Sequence, residues 1–329
     1  MQPFTYARAN DLSTAIAAAS IEGTSLLAGG TELVNWMKEG IAAPKRLVDI
    51  NGLAQLDYIE LSATELRLGA LARMSAVAAH PEVRREFPAL SIALEKSASQ
   101  QIRNMASMGG NLMQRTRCPY FRAEVELSCN KRVPGSGCAA QGGEDRTLAV
   151  LGGSERCIAT HPSDAAVALA MFDAVVRVQG PKGQREVPID DLYVLPGETP
   201  HIETVLAAGE VIVEIAVPRS GMTSSSHYLK VRERASYEFA LVCAAASVES
   251  QGKVLRAAKI ALGGVAPKPW RLTNAEANLA GIALDDEAAL HRALARDFEA
   301  ARPGKHNGFK IELAKRTAIR TLQIAGGLV

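Results

Sequence analysis

Long apolar segments are missing from this chain of 329 residues. The best candidate, residues 165–176, is too short to cross a bilayer and is interrupted by Asp173. A large charge of one sign is missing as well, because 37 basic and 35 acidic residues give a formal net charge of +2. We therefore expect no membrane insertion, and no nucleic acid or anionic membrane surface as a partner. The length predicts two or more packed lobes with a substantial core.

An export signal is also lacking. Residues 1–6 contain neither the basic nor the apolar segment of a signal peptide. We expect the chain to fold in the cytoplasm, although export to the periplasm with a signal-bearing partner would leave the same sequence. Five cysteines are an odd number in a chain without a signal, which argues against a disulfide framework.

Motifs of self-contained catalysis are absent too. The sequence shows no Ser-His-Asp set, no paired carboxylates and no molybdenum-ligand signature, and it has neither G-x-G-x-x-G nor a P-loop. Any redox chemistry would therefore belong to bound cofactors, with the protein providing position and electrostatics.

Two glycine pairs, about eighty residues apart, are the most informative motifs present. Each lies between apolar residues and precedes a small polar residue, in Gly29-Gly30-Thr31 and in Gly109-Gly110-Asn111. Glycine leaves backbone amides uncovered and permits positive φ, so such a turn can wrap a phosphate oxygen. We predict two facing loops that hold both phosphates of a dinucleotide, with Ser107 as a further donor. Taken singly, each pair is also typical of an ordinary turn.

Four of the cysteines fall within about forty residues. Cys118, Cys129, Cys138 and Cys157 have the spacing C-x10-C-x8-C-x18-C inside residues 113–158, which we predict to be a long ordered loop of functional importance. Thiolates at this density suit zinc or an iron–sulfur cluster. The tight C-x2–4-C pairs of zinc sites are missing, and wide spacing among basic residues favours an anionic [4Fe–4S] cluster. From spacing alone, zinc and free thiols or disulfides stay open as alternatives.

These motifs resemble those of a known family. The two glycine stretches, with the blocks at residues 160–164 and 261–271, resemble in the same order the FAD subunit of the xanthine dehydrogenase/molybdenum hydroxylase family. The resemblance covers nearly the whole chain. It implies an FAD bound by Leu26, Leu27, Ala28, Gly29, Gly30, Thr31, Glu32 and Leu33 in the first stretch, and by Ser107, Gly109, Gly110 and Asn111 in the second.

Three further positions gain a role only through this resemblance. It implies that Asp164 hydrogen-bonds a flavin-side hydroxyl, that Lys230 lies beside the isoalloxazine, and that Ile212 packs near the same ring. A cation at Lys230 would stabilise reduced, anionic flavin. From the residues alone, Asp164 is also typical of an acid at a helix N-terminus, and Lys230 of a solvated strand charge.

The cysteine loop narrows the resemblance to one branch of the family. Most FAD subunits of the family lack this insert, whereas certain bacterial members carry a [4Fe–4S] cluster in it. Residues 117–122 and 129–140 look like the periplasmic-type aldehyde oxidoreductases among them. This implies that Cys118, Cys129, Cys138 and Cys157 bind such a cluster. Cys243, inside an apolar strand, is predicted to be a buried structural thiol.

The predicted fold class is α+β. A two-lobed FAD-binding domain of the vanillyl-alcohol-oxidase (PCMH) type is expected at residues 1–219, with the insert at about 113–158. A smaller C-terminal α/β domain of the CO dehydrogenase flavoprotein type is expected at 220–329. Hydrophobic periodicity predicts a small α/β unit over residues 1–56, hairpins at 58–68 and 174–189, and helices at about 74–80, 88–98, 163–172, 273–280, 286–300 and 310–325.

The expected function follows from the resemblance. It is that of an FAD- and [4Fe–4S]-containing electron-transfer subunit of a molybdenum-dependent aldehyde oxidoreductase. The expected partners are a molybdopterin-binding catalytic subunit and a [2Fe–2S] subunit in a heterotrimer, with an external electron acceptor. The rivals are a self-sufficient flavin reductase on the same fold, the FAD subunit of a molybdenum hydroxylase acting on xanthine, CO or an aromatic acyl-CoA, and a non-enzymatic assembly module.

Overall fold

The first lobe contains the small α/β unit that the sequence predicts. In the computed structural model, which describes residues 1–328, it comprises β1 (Thr5–Arg8), α1 (Leu12–Ala19), β2 (Thr24–Leu27), α2 (Leu33–Lys38) and β3 (Arg46–Asp49). The strands form a parallel sheet in the order β1-β3-β2. Asp11 caps α1, because its carboxylate accepts a hydrogen bond of 2.7 Å from the Thr14 amide. The turn between β2 and α2 carries the first glycine pair at the carboxyl end of the sheet.

The second lobe is built on an antiparallel sheet. Its strands are β4 (Ile59–Leu61), β5 (Glu65–Gly69), β6 (Val175–Gly180), β7 (Gly183–Pro188) and β8 (Val211–Pro218), in the order β4-β5-β8-β6-β7. Both predicted hairpins, β4-β5 and β6-β7, are confirmed. The central strand β8 is buried along most of its length, and the buried carboxylate of Glu214 within it is paired with Arg67 at 2.7 Å and with Arg177.

Short helices surround this sheet. They are α3 (Met74–Ala79), α4 (Pro81–Glu86), α5 (Pro88–Lys96), α6 (Gln100–Met105), α7 (Met108–Leu112), α8 (Pro119–Arg122), α9 (Asp164–Met171) and α10 (Ile189–Leu192). The predicted helices near 74–80, 88–98 and 163–172 are confirmed as α3, α5 and α9, whereas α4, α6, α7, α8 and α10 were not predicted. Within residues 1–328, no helix is both long and apolar enough to span a membrane.

The second glycine pair is the clearest correction to the sequence prediction, because it lies in helix α7 and not in a loop. Ser107 caps this helix, and its hydroxyl accepts a hydrogen bond of 3.2 Å from the Gly110 amide. The Gly109 amide donates to the carbonyl of Ala70 at 2.8 Å. Glycine disfavours helix, so the cap and these tertiary hydrogen bonds hold α7 in place where local propensity does not.

The insert is an ordered loop, as predicted. Apart from α8, residues 113–158 contain no helix or extended strand in the part of the chain described. The side-chain oxygen of Asn130 accepts from the amides of Gly135 and Gly137 at 3.1 and 3.0 Å, which closes one turn. Asp145, which is 1% exposed, accepts from the amides of residues 305 and 306, and so anchors the end of the insert to the C-terminal domain.

The C-terminal domain is a four-stranded antiparallel sheet with three helices. The strands β9 (Ser226–Val231), β10 (Val242–Gln251), β11 (Val254–Gly263) and β12 (Trp270–Arg271) lie in the order β12-β11-β10-β9, and the helices are α11 (Thr273–Asn278), α12 (Glu287–Leu294) and α13 (Phe309–Ala325). The helix predicted at 286–300 ends at Leu294 and continues as a 3-10 turn, Ala295–Phe298.

Strand β10 joins the two domains, because both of its faces are buried. Alternate residues such as Val242 and Ala244 belong to the core around α13, while Cys243 and Ala245 belong to the core that contains α9 of the first domain. A strand buried on both sides needs apolar residues at every position, which explains its continuous run from 242 to 246. The predicted burial of Cys243 is confirmed.

Candidate functional site

A cavity of about 730 Å³ lies between the two glycine pairs. Its remaining walls come from β8 and from the start of the C-terminal domain. The volume falls within the range of about 300–1,000 Å³ that is usual for ligand and cofactor sites. Of the flavin-site residues predicted from the sequence, the cavity brings together Leu26, Ala28, Gly29, Gly30, Thr31, Glu32, Leu33, Ser107, Gly109, Gly110, Asn111, Asp164, Ile212 and Lys230.

Leu27 is the exception among the predicted residues. It lies at the end of β2 but does not line the cavity. Successive side chains of a strand point to opposite sides, and that of Leu27 turns toward Gly30, where its Cδ1 lies 3.3 Å from the position of a Cβ added to that glycine. The side chain of Leu27 therefore supports the glycine turn from behind.

The first glycine pair forms an open cradle. Gly30 has φ +72°, a conformation that favours glycine. Gly29 packs directly on the backbone of α6, since a Cβ added there would lie 2.0 Å from the carbonyl oxygen of Met105. Within residues 1–328, the amides of Gly29, Gly30 and Thr31 donate to no protein acceptor. These uncovered donors suit a phosphate group, so this turn matches the prediction.

The second glycine pair contributes in a different way. The amides of Gly109 and Gly110 are already bonded to Ala70 and Ser107, so they do not form the predicted phosphate loop. As at Gly29, the absence of a side chain permits close packing, because a Cβ added at Gly109 would lie 3.1 Å from Ala70. The side-chain oxygen of Asn111 accepts a hydrogen bond of 2.5 Å from the Ser163 hydroxyl, which links α7 to the start of α9.

Asp164 and Lys230 form a buried ion pair in the cavity wall. The ammonium nitrogen of Lys230 lies 2.8 Å from Oδ2 of Asp164, and the two side chains are only 2% and 6% exposed. Asp164 also accepts hydrogen bonds from the hydroxyls of Ser97, at 3.0 Å, and Tyr228. Burial, together with the neighbouring carboxylate, raises the pKa of Tyr228 well above its ordinary value, so its hydroxyl stays a donor. The sequence predicted both charged residues for the site but not their pairing.

The four cysteines of the insert also come together. Cys118, Cys129 and Cys157 are buried in one small core that Cys138 borders, and Cys129 lies opposite Cys138 in an antiparallel bridge. All four are free thiols. Cys118 interacts electrostatically with Cys157 and Cys129, and Cys157 with Cys138 and Cys129. In the described part of the chain, no group of three or more His, Cys, Asp or Glu side chains is arranged to hold a metal ion.

The surroundings of these thiols suit a site in which their sulfur atoms act as ligands. Burial raises the pKa of Cys118 and of Cys157 to about 11, so an unliganded thiol stays protonated there and a bound metal would have to supply the compensating charge. The amide of Ala159 donates to Sγ of Cys157 at 3.5 Å. Lys131 acts on Cys157 in the opposite sense and lowers its pKa. Backbone donors and positive charge around sulfur are typical of iron–sulfur sites.

The sequence placed Glu32 in the first flavin-binding stretch but did not predict that it connects the two regions. Glu32 lies in the glycine turn, and its carboxylate binds Arg117, the neighbour of Cys118, at 2.5 and 2.7 Å, and Arg122 at 2.6 Å. The indole of Trp36 adds a fourth hydrogen bond of 2.9 Å. Burial lowers the pKa of Arg117, which lines the cavity beside this turn. The only feature of the sequence that could have indicated these contacts was the row of basic residues in the insert.

Family comparisons agree with this geometry. Residues 2–220 match the family described as the FAD binding domain in molybdopterin dehydrogenase, and residues 227–325 match the CO dehydrogenase flavoprotein C-terminal domain. The two matches leave only residues 221–226 between them. The prediction had placed the boundary at 219/220.

Two relatives illustrate the range of similarity. The chain is 48% identical over 325 residues to the aldehyde oxidoreductase FAD-binding subunit of Escherichia coli, covering 98% of each chain. It is 26% identical to the carbon monoxide dehydrogenase medium chain of Hydrogenophaga pseudoflava, covering 80% of this chain and 74% of the relative.

Solved structures share the fold. A carbon monoxide dehydrogenase from Hydrogenophaga pseudoflava superposes with a TM-score of 0.75 at 25% identity, covering 99% of this chain and 98% of the other. The quinoline 2-oxidoreductase from Pseudomonas putida 86 superposes with a TM-score of 0.76 at 24% identity, covering 99% and 98%. The predicted fold class and the expected FAD-binding domain are thus confirmed, and the chain belongs to the FAD-binding subunits of the molybdenum hydroxylase family.

Proposed function

We propose that this chain is the FAD- and [4Fe–4S]-carrying subunit of a molybdenum-dependent aldehyde oxidoreductase. The observation that carries the proposal is the direct junction between the FAD cavity and the group of four thiols, made by Glu32 and Arg117. One side of this junction offers a dinucleotide cradle and the other offers four sulfur ligands. Two redox sites side by side suit a chain that passes electrons from one cofactor to another, with the chemistry supplied by the cofactors.

The FAD would be held by the elements that line the cavity. The free amides at Gly29, Gly30 and Thr31 suit its phosphates, and the buried pair Asp164–Lys230 can present both a hydrogen-bond acceptor and a positive charge. When bound, FAD supplies the ability to accept electrons singly and release two together. The protein's part is to orient the cofactor and to shield it from water.

The cluster would be held by Cys118, Cys129, Cys138 and Cys157. Four free thiols in one buried group provide the ligand set of a [4Fe–4S] cluster. The charge near the thiols supports the same assignment, because Lys131 lowers the pKa of Cys157 and so favours its thiolate form. Metal analysis distinguishes this cluster from zinc bound to the same four thiols.

The proposed partners follow from the relatives. The 48% identical chain is named as a subunit of an aldehyde oxidoreductase, which supports aldehyde as the substrate class of the whole complex. In the proposed complex, electrons from a molybdopterin-binding catalytic subunit reach this chain through a [2Fe–2S] subunit, and the chain delivers them to an external acceptor.

The cofactor content tests the first half of the proposal. Protein purified without oxygen should contain one FAD and about four iron and four acid-labile sulfide per chain. Cys118→Ser should lose the iron, because a hydroxyl is a poor substitute for a thiolate ligand. Cys243→Ser is the matched control, because Cys243 is equally buried but lies in β10 outside the group, and its iron content should not change. Stoichiometric zinc without sulfide would overturn the cluster assignment.

The need for partners tests the second half. The isolated chain should be reduced by dithionite but should show no aldehyde turnover, whereas aldehyde should reduce its flavin once both partner subunits are added. Turnover of aldehyde by the isolated, molybdenum-free chain at the rate of the complex would contradict the proposal. Steady turnover of the isolated chain with NAD(P)H would instead support a self-sufficient flavin reductase.

A further inference from the structure

The carboxylate of Glu32 is the centre of a charge cluster beside the cysteine group. It accepts four side-chain hydrogen bonds of 2.5–2.9 Å, three of them from guanidinium nitrogens, and its side chain is 14% exposed. The Arg115 amide adds a longer contact of 3.3 Å. This number of donors is more than the fold requires to cap α2, for which Glu32 provides no side-chain hydrogen bond at all.

The arginines that Glu32 binds hold the backbone around Cys118. Arg117 is its neighbour in the chain, and Nε of Arg122 donates to the carbonyl of Thr116 at 3.0 Å. The hydroxyl of Thr116 accepts in turn from the Cys118 amide at 3.1 Å. A change in the charge of Glu32 therefore reaches the cysteine group both through these contacts and through its electric field.

We propose that Glu32 is a positioning residue for the cysteine site, whose negative charge offsets the guanidinium charges beside Cys118 and thereby keeps the reduction potential of the bound cluster low. This inference rests on the cluster of the proposed function. One-electron reduction adds a negative charge to the cluster, so uncompensated guanidinium groups nearby favour the reduced form and raise the potential. Removing the carboxylate charge leaves such groups behind.

The size of the expected shift in reduction potential follows from the Coulomb energy of one unit charge. In a partly buried site with an effective dielectric constant of about 20, a unit charge about 10 Å away changes an equilibrium constant by roughly tenfold. A tenfold change corresponds to about 59 mV for a one-electron couple. Glu32→Gln should therefore shift the cluster potential by about this amount in the positive direction.

The test is a dithionite titration of the purified chain, with mediators, followed by electron paramagnetic resonance of the reduced cluster. Glu32→Asp keeps the charge and should restore a potential close to that of the wild type. Glu39→Gln is the matched control, because Glu39 binds Nη1 of Arg122 at 2.9 Å, lies further out at 34% exposure, and should give less than half of the shift. Iron, sulfide and FAD are measured in every variant.

The outcomes separate this role from the cluster assignment. A wild-type chain without iron and sulfide overturns the cluster of the proposed function. A wild-type chain that holds the cluster, with an unchanged potential in Glu32→Gln, overturns only the role of Glu32. Should Glu32→Gln lose its iron, Arg122→Gln is measured instead, and it should shift the potential in the negative direction. An unchanged potential in that variant would again refute the role.

Discussion

The buried pair Asp164–Lys230 should be one of the strongest electrostatic couplings in the protein. Its two charged groups lie 2.8 Å apart with side chains 6% and 2% exposed. Asp164→Ala should lower the free energy of unfolding by about 3–5 kcal/mol, since it leaves the buried Lys230 charge without a counter-charge, with only the Lys96 carbonyl at 3.2 Å. The hydroxyl of Tyr228 loses its acceptor at the same time, whereas that of Ser97 keeps the carbonyl of Ala93 at 2.8 Å.

A double-mutant cycle isolates the pair from these other losses. Lys230→Met removes the cation, so the variant with both substitutions contains neither charge of the pair and leaves none buried without its counter-charge. We therefore expect the double variant to be more stable than the sum of the single variants predicts, with a coupling energy of about 2–3 kcal/mol. Urea unfolding of FAD-free protein gives the four free energies without a contribution from cofactor binding.

The chain provides a control with the same geometry and a different environment. Lys253 and Asp285 lie 2.7 Å apart, but their side chains are 63% and 48% exposed. Exposed pairs gain little, because water screens the charges and the two side chains lose conformational freedom when they pair. The coupling in this second cycle should be close to the error of measurement. Equal couplings in the two cycles would show that burial is not the source of the interaction.

Three further variants test other parts of the structure. Burial lowers the pKa of Lys310 from 10.5 to about 7 in the folded chain. Between these two pH values the unfolded chain therefore binds one more proton than the folded chain, and the free energy of unfolding should rise with pH. In urea unfolding, the Lys310→Met variant should lack this dependence on pH. Gly29→Ala should release FAD and lower the unfolding midpoint, because the added Cβ would collide with the backbone of Met105. Gly52→Ala is the control, because a Cβ added at Gly52 has open space around it. Equal flavin absorbance in the two purified variants would refute this prediction. Asp145→Ala should lower the free energy of unfolding by about 2–6 kcal/mol, because it strands two backbone amides at about 1–3 kcal/mol each. The mostly exposed Glu144→Ala is its control, and equal midpoints would contradict the anchoring role.

Local patterns predicted most of the regular structure. The alternation in residues 58–68 and 174–189 identified both hairpins, and hydrophobic periodicity identified the helices α3, α5 and α9. These signals lie within a few residues of the structure they produce, so a sequence shows them directly. Helix α7 could not be predicted in the same way. Its glycine pair favours a turn, and the Ser107 cap together with hydrogen bonds to residues 70 and 72 holds it as a helix.

The sequence predicted which residues belong to the candidate site better than it predicted the contacts between them. All predicted flavin-site residues except Leu27 line one cavity, and the four insert cysteines form one group. The partner of Asp164, 66 residues away, and the partners of Glu32, 85 and 90 residues away, were not predicted. Both acids have ordinary local roles near a helix start, so nothing close to them in sequence indicates a distant partner.

By itself, the sequence determined the kind of protein, because motif order indicated an FAD-binding chain with a cysteine insert. The tertiary structure alone decided which charges meet and which backbone amides remain free. It made the first glycine pair an open cradle and the second a packed helix, although the two look alike in the sequence. The physical reason is that a backbone donor is used or left free according to the neighbours that the fold brings to it, and for α7 these lie nearly forty residues earlier in the chain.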